Sequence, residues 1–288
     1  MKILITGAAG QLGEALSPLW RPDEVLDLGA SALDITDPSC AATWFEDERP
    51  EWVIHCAAMT DTAFCEREPG PAHEVNAIGT ENVARASASY GARLITISTN
   101  EVFDGVARLP YSESDASRPI NVYGASKRDG EELAVAAHAD TLIVRTAWLY
   151  GDGGGNFVEK VLAAARAGSP LRFVTDEIAT PTSAHDLAEA IRALIEADAP
   201  AGIYHLTNEG EASRYAWARE IVRLAGLDES RVEPITTEEL RASGYDGPRK
   251  PAYSVLANTR ARALGITLRP WREALAAHFD RARVAADG

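Results

Sequence analysis

The segment Thr6-Gly-Ala-Ala-Gly-Gln-Leu-Gly13 constrains the fold of this chain more than any other. Lys2-Ile-Leu-Ile-Thr6 before it is a short apolar run stopped at Gly7, the pattern of a buried strand. After it, Leu12, Ala15, Leu16 and Leu19 recur at helical spacing. Strand, glycine turn and helix in that order aim main-chain N–H groups and a helix N-terminus at a pyrophosphate. The alternative is an ordinary tight turn between strand and helix. Three glycines, at 7, 10 and 13, favour the dinucleotide loop over that turn.

The rest of the first half keeps the same rhythm. Strands are expected at 2–6, 23–27, 52–56, 94–98 and 141–145, and helices at 11–19, 38–46, 71–90 and 121–138. Alternation of this kind predicts an α/β fold, a Rossmann-type doubly wound parallel sheet with crossover helices. From Gly151 the pattern changes. Gly151-Asp-Gly-Gly-Gly155 is expected to be a flexible exit from the sheet. A helix at 156–167, a strand at 171–174 and a helix from about 183 follow, the last with Leu187, Ile191 and Leu194 on one face and Ser183 and Asp186 at its capped start. Gly202-Ile-Tyr-His-Leu206 is expected to be a final strand. No composition break marks a linker, so the second domain should interleave with the first. The expected dinucleotide-binding domain is 1–150 with about 182–206. A smaller substrate-binding part takes 151–181 and 207–288.

A chain of 288 residues can bury a substantial core. Its net charge of −15 argues against a nucleic-acid or anionic-membrane surface, although a local basic patch could still hold a phosphorylated ligand. No apolar run is long enough for a bilayer, and the first is cut at Gly7, too soon for a signal peptide. Cys40, Cys56 and Cys65 form neither a metal-ligand pattern nor an even disulfide set, and no two of the six histidines are four apart. A metal is not indicated, and a reducing cytoplasm is the simplest expectation.

Tyr123-Gly-Ala-Ser-Lys127 adds chemistry to the loop. Positions four apart share a helix face, so a phenol and an ammonium would point the same way. A nearby cation favours phenolate and helps a tyrosine exchange a proton near neutral pH. The alternative is a solvated helix face. With a nucleotide loop in the same chain, the pair suggests hydride transfer to a carbonyl.

These segments resemble the extended short-chain dehydrogenase/reductase family over nearly the whole chain. Gly7, Gly10 and Gly13 match its G-x-x-G-x-x-G loop, and His55-Cys-Ala-Ala58 its N-A-A-A stretch. Val75-Asn76-Ala-Ile-Gly79 matches V-N-x-x-G, and Asn121-Val-Tyr-Gly-Ala-Ser-Lys127 matches N-x-Y-G-x-x-K. Ser98-Thr-Asn-Glu-Val-Phe-Asp-Gly105 is similar to S-T-D-Y-V-F-D-G, and Arg145-Thr-Ala-Trp-Leu-Tyr-Gly151 to R-T-S-W-V-Y-G. Asn156-Phe157 and Thr180-Pro-Thr182 also fit.

The resemblance implies the reduction, with NADH or NADPH, of a keto group on a nucleotide-linked deoxysugar. By it Tyr123 donates a proton, Lys127 holds the nicotinamide ribose and Thr99 hydrogen-bonds the reacting oxygen. It places Gly7, Gly10, Gln11, Leu12, Gly13, Asp34, Ile35, Ala57, Ala58, Thr60 and Asn76 at the cofactor, together with Tyr123 and Lys127. It places Thr60, Thr62, Asn100, Glu101, Trp148 and Asn156 at the sugar nucleotide. Family members often form homodimers through sheet-flanking helices. For Thr99 the alternative is a strand-capping hydroxyl, and for Trp148 a core aromatic. Asp27, at the end of the second strand, can accept hydrogen bonds from the adenine ribose and repel a 2′-phosphate, or be a solvated turn residue.

The family's Asp-Tyr after the catalytic threonine is here Asn100-Glu101. Related 4,6-dehydratases carry Thr-Asp-Glu there. Glu101 is therefore dehydratase-like, but Asn100 cannot donate a proton as a carboxylic acid. Two other readings stay open on the sequence: a nucleotide-sugar dehydratase or epimerase, and a non-catalytic regulatory subunit resembling that of methionine adenosyltransferase.

Overall fold

The computed structural model describes residues 1–153 and 155–287. The side chains of 40–41 and 284–287 are outside that description, and with them Cys40 and the Gly154 position of the expected exit loop.

The strands β1 (Ile3–Thr6), β2 (Val25–Leu28), β3 (Trp52–His55), β4 (Arg93–Thr99) and β5 (Thr141–Thr146) alternate with the helices α1 (Gln11–Leu16), α2 (Pro38–Glu48), α3 (Thr80–Tyr90) and α4 (Val122–Ala137). Beyond β5 come α5 (Phe157–Arg166), β6 (Leu171–Val174), α6 (Ala184–Glu196), β7 (Gly202–His205), α7 (Arg214–Leu224), β8 (Val232–Ile235) and α8 (Trp271–Asp287). One six-stranded sheet has the order β7-β5-β4-β3-β1-β2, with every pairing parallel. The chain leaves β1 toward β2 on one side and β3 on the other. That reversal opens a crevice at the carboxyl ends of the strands, where ligands of such sheets bind.

Successive strand residues serve opposite faces, which explains why the strands read as unbroken apolar runs. Ile3, Ile5, Ile54 and Ile95 pack under α1 and α6, with Leu187, Ile191 and Leu194. Leu4, Val53 and Leu94 pack on the other face, with Phe45 of α2, Val83 of α3 and Ala134 of α4. Segments from 148 onward build a further core from Val158, Val161, Trp217, Ile221, Trp271 and Leu275. Meanwhile α6 and β7, inserted between those segments, belong to the sheet domain.

Several local expectations need correction. The helix expected over 71–90 is built in pieces: Pro69–His73, a π turn at Glu74–Gly79, then α3. The helix expected over 11–19 ends at Leu16, and Ser17–Leu19 tightens into a 3₁₀ turn containing Pro18. Thr62–Arg67 forms a short helix capped by Asp61, whose carboxylate accepts from the main-chain N–H of Ala63 and Phe64. Gly151 is a packing position: a Cβ there would stand 2.8 Å from that of Ala184. The Asn156 amide donates to the Gly151 carbonyl at 3.0 Å, tying the start of this segment down. Among the described residues, no helix is long and apolar enough to cross a membrane.

Candidate active site

A cleft of about 1060 Å³ runs along the carboxyl ends of β1, β3, β4 and β5. One end is floored by the glycine loop. Gly7 has φ +67, a left-handed conformation that side-chain-bearing residues rarely adopt. A Cβ on it would lie 2.6 Å from the Ala57 nitrogen, so the turns after β1 and β3 touch main chain to main chain. A Cβ on Gly13 would lie 2.5 Å from the Ala8 Cα. Gly10 caps α1 without a side-chain hydrogen bond, and the buried Gln11 Oε1 has no partner. This bare main-chain cradle and its orphaned acceptor fit the phosphates and ribose of a dinucleotide.

The reactive groups stand where α4 meets the end of β4. Thr99 closes β4, and its hydroxyl accepts from the Glu101 N–H at 3.2 Å. The start of α4 presses on this turn: a Cβ on Gly124 would fall 2.0 Å from the Glu101 carbonyl oxygen. Farther along, a Cβ on Gly130 would fall 2.3 Å from the Asn76 carbonyl oxygen. Two glycines thus let α4 lie close on this turn, so that Tyr123 and Thr99 line the same cleft. Burial and the nearby Glu101 charge push the Tyr123 pKa up, and the neighbouring Thr99 hydroxyl pulls it back. Lys127, buried one turn later, is pushed down to about 8 by desolvation, partly countered by Glu131. Behind them, His55 is pushed down to about 3 by burial and by Lys127, and its ring bridges the Thr6 and Thr80 hydroxyls at 2.7 and 3.2 Å. Burial also drives the Cys56 thiol up to about 12, so both residues are neutral packing.

The cleft brings together most of the residues singled out in the sequence. Gly7, Gly10, Gln11, Leu12, Gly13, Asp34, Ile35, Ala57, Ala58, Thr60 and Thr62 line it, as do Thr99, Asn100, Glu101, Tyr123, Lys127 and Trp148. Three others do not. Asn76 is buried, clamping the Met59 main chain at 2.8 and 3.0 Å and the Ser126 hydroxyl at 3.0 Å. Asn156 caps α5, accepting from the Glu159 N–H at 3.1 Å. Both carboxamides are therefore committed to the scaffold, a correction to their expected ligand contacts. Asp27 lies in a shallow adjoining groove that shares Ala9 and Gly29 with the cleft, its carboxylate accepting from the Ser17 hydroxyl.

Among the lining residues not singled out as site residues are Lys250, Arg214 and Trp217. Lys250 Nζ donates to both Glu101 oxygens at 2.8 and 3.0 Å. Asn121, which caps α4, adds a third hydrogen bond to Glu101 at 2.7 Å and donates to the Arg249 carbonyl at 2.8 Å. Asn100 donates to the Ser254 hydroxyl at 2.7 Å. The turn after β4 is thereby tied to segment 249–254. Arg214, Trp148, Phe157 and Trp217 form the opposite wall, with Trp148 held at φ 44 and stacked on Trp217 at 5.5 Å. No local sequence pattern announces these partners, since each comes from a distant element.

A glycine-looped parallel sheet carrying Thr99, Tyr123 and Lys127 at one cleft defines an extended short-chain dehydrogenase/reductase. The sequence model of the family described as "RmlD substrate binding domain" matches residues 1–284, and the chain belongs to that family, the group of the dTDP-4-dehydrorhamnose reductases. It is 41% identical to the spore coat polysaccharide biosynthesis protein SpsK of Bacillus subtilis, covering 99% of each chain. It is also 41% identical to the dTDP-4-dehydrorhamnose reductase of Streptomyces griseus, covering 96% of this chain and 92% of that one. The crystal structure of the Bacillus anthracis dTDP-4-dehydrorhamnose reductase in complex with NADP superposes with a TM-score of 0.90 at 36% identity, covering 98% of this chain and 99% of the other.

Proposed function

We propose that this protein reduces the 4-keto group of a nucleotide-linked deoxysugar, converting dTDP-4-dehydro-L-rhamnose to dTDP-L-rhamnose with NADH or NADPH. The observation that carries this reading is the placing of Thr99, Tyr123 and Lys127 together in a cleft continuous with the glycine loop. The nicotinamide cofactor, when bound, supplies the hydride. Gly7, Gly10, Gln11, Leu12 and Gly13 hold its phosphates, with Asp34, Ile35, Ala57 and Ala58 along its adenosine side.

Thr99 orients the keto oxygen, and Tyr123 gives that oxygen its proton. Lys127 holds a positive charge beside the tyrosine as the phenol oxygen turns negative. Thr60, Thr62 and Trp148 bound the sugar. Glu101 and Asn100 shape that pocket through Lys250 and Ser254 and exchange no proton. A panel of nucleotide-linked 4-ketosugars with each cofactor tests the reading. Reduction of the dTDP-linked 4-keto-6-deoxysugar is expected, and no turnover of any member would overturn it. A cytoplasmic location belongs to the same proposal and fits the free thiols Cys56 and Cys65. A homodimer belongs to it as well, checked by sedimentation.

Asp27 sets an expectation about cofactor choice. Its groove holds a second acid, Glu14, and no base. A 2′-phosphate placed there would meet negative charge without compensation. NADH is therefore expected to serve at least as well as NADPH by kcat/KM, and Asp27→Ala should raise the NADPH value. A strong NADPH preference unchanged in that variant would place the control at another residue.

A further inference from the structure

Lys127 must carry its charge while it is buried, and burial works against that charge. No described residue accepts a hydrogen bond from its ammonium. The titratable groups that face it are neutral or already paired. Burial keeps the His55 ring unprotonated, and it keeps the Cys56 and Cys65 thiols and the Tyr123 phenol protonated. Glu101 is paired with Lys250. On the outer side of α4, Arg128 pairs with Asp129 and Glu132, and His73 lies 3.6 Å from Asp129. Glu81 of α3 pairs with Arg85, Glu66 accepts from the Val122 N–H at the start of α4, and Glu74 is exposed.

On the inner side of α4 lies a buried ion pair, Glu131–Arg145. Glu131 stands four residues after Lys127, on the same helix face, and does not line the cleft. Arg145 of β5 donates to its two oxygens through Nε at 2.8 Å and Nη2 at 2.6 Å. Ser98 is the register partner of Arg145 across β4 and β5, and its hydroxyl donates to the same carboxylate. Three hydrogen bonds from two strands thus fix the position of the negative charge. Arg145 is also held without Glu131. Its Nη2 donates to the Ser117 hydroxyl at 2.9 Å, and its Cζ lies 5.2 Å from the centroid of the Phe103 ring. Of the two charges Glu131 governs Lys127, raising its proton affinity against burial.

We propose that Glu131 is the positioning residue of Lys127: its carboxylate, fixed between Ser98 and Arg145, is the counter-charge that keeps the ammonium a cation at the cleft. The proposal deepens the reductase reading and rests on it only for what that cation does. Neutralising Glu131 has two effects of one sign. Its attraction is lost, and Arg145 becomes an unopposed like charge, so the Lys127 titration midpoint falls. A loosened core would do the opposite. Water reaching Lys127 would lift the midpoint toward the ordinary lysine value. The direction of the shift therefore separates a counter-charge from a merely structural residue.

Carbon-13 NMR of the full chain without cofactor, labelled at lysine Cε, tests this. The chain has four lysines, and the Lys127 signal is the one lost in Lys127→Met. Glu131→Gln is expected to lower the Lys127 midpoint by about one pH unit, or tenfold in proton affinity. The alkaline limb of kcat should move down by the same interval. Glu131→Gln/Arg145→Met removes the pair as a unit, a change that buried ion pairs often tolerate. Its midpoint should lie between those of wild type and Glu131→Gln, and it decides the matter if the single variant does not fold. A midpoint at or above the wild-type value in Glu131→Gln, or in the double variant if that alone folds, would overturn the proposal. A lowered midpoint in a protein that reduces no 4-ketosugar would overturn the reductase reading and leave this one standing.

Discussion

Tyr123→Phe is expected to lower turnover of the 4-ketosugar by ~10²–10⁴-fold, the usual contribution of a positioned general acid. Affinity for the cofactor should change little, because the lost hydroxyl faces Thr99 and not the glycine loop. The ring stays, so packing around α4 is preserved. Stopped-flow turnover and cofactor titration of the variant check both halves, and near-wild-type turnover would remove Tyr123 from the mechanism. Lys127→Ala should damage both measurements, since the proposed mechanism has the ammonium serve the tyrosine and the cofactor ribose together.

The same pair sets a pH dependence. Lys127 is pushed down to about 8, below the ordinary lysine value, because burial disfavours its charged form. Below that pH it is charged and offsets the negative charge growing on the Tyr123 oxygen. As pH rises through it the charge is lost, so kcat should fall on the alkaline side. In Lys127→Met that limb should vanish while the remaining activity stays low. A limb of unchanged position in the methionine variant would assign it to another group.

Much of this was legible in the sequence because it rests on local rules. Strands β1, β3 and β5 are buried on both faces, so each reads as an apolar run within a residue or two of its final bounds. Tyr123 and Lys127 share a helix face by spacing alone. What the sequence hid depends on contacts between distant segments. Glu101 looks like a candidate acid-base group until Lys250, 149 positions away, is seen to occupy both of its oxygens. Asn76 and Asn156 stand in motifs near the ligands, yet their amides are used up in holding Met59 and Gly151. The π turn at Glu74–Gly79 lies inside a pattern that reads as one continuous helix, because a single wide turn barely disturbs apolar periodicity. Arg214 begins an amphipathic helix, and nothing nearby in sequence indicates that Trp148 will lie beneath it.

Lys250→Met is expected to cost about 3 kcal/mol of stability, because it leaves the Glu101 carboxylate buried without its cation. That figure is at the low end for broken buried pairs, since the Lys250 side chain keeps 18% of its surface exposed. Asn121 would remain as a donor to Glu101, but it is neutral and already shared with the Arg249 carbonyl. The uncovered charge also lies close enough to raise the Tyr123 pKa, so an unpaired Glu101 should make the tyrosine a weaker acid and lower kcat. Glu101→Gln should behave differently. It removes ionisation but keeps the shape and the Asn121 hydrogen bond, so KM should change more than kcat, as expected for binding shared by ground and transition states. Combining the two substitutions removes both charges at once. Glu101→Gln/Lys250→Met should therefore be more stable than Lys250→Met alone and should recover most of its kcat. Denaturant titration and steady-state kinetics on the four proteins form a double-mutant cycle. Additive effects would show that the pair is not coupled. A collapse of kcat in Glu101→Gln at unchanged KM, or formation of a 4-keto-6-deoxy product from a dTDP-hexose by wild type, would instead make Glu101 an obligatory proton carrier. The second outcome would further require a proton donor other than Asn100, whose amide is held by Ser254.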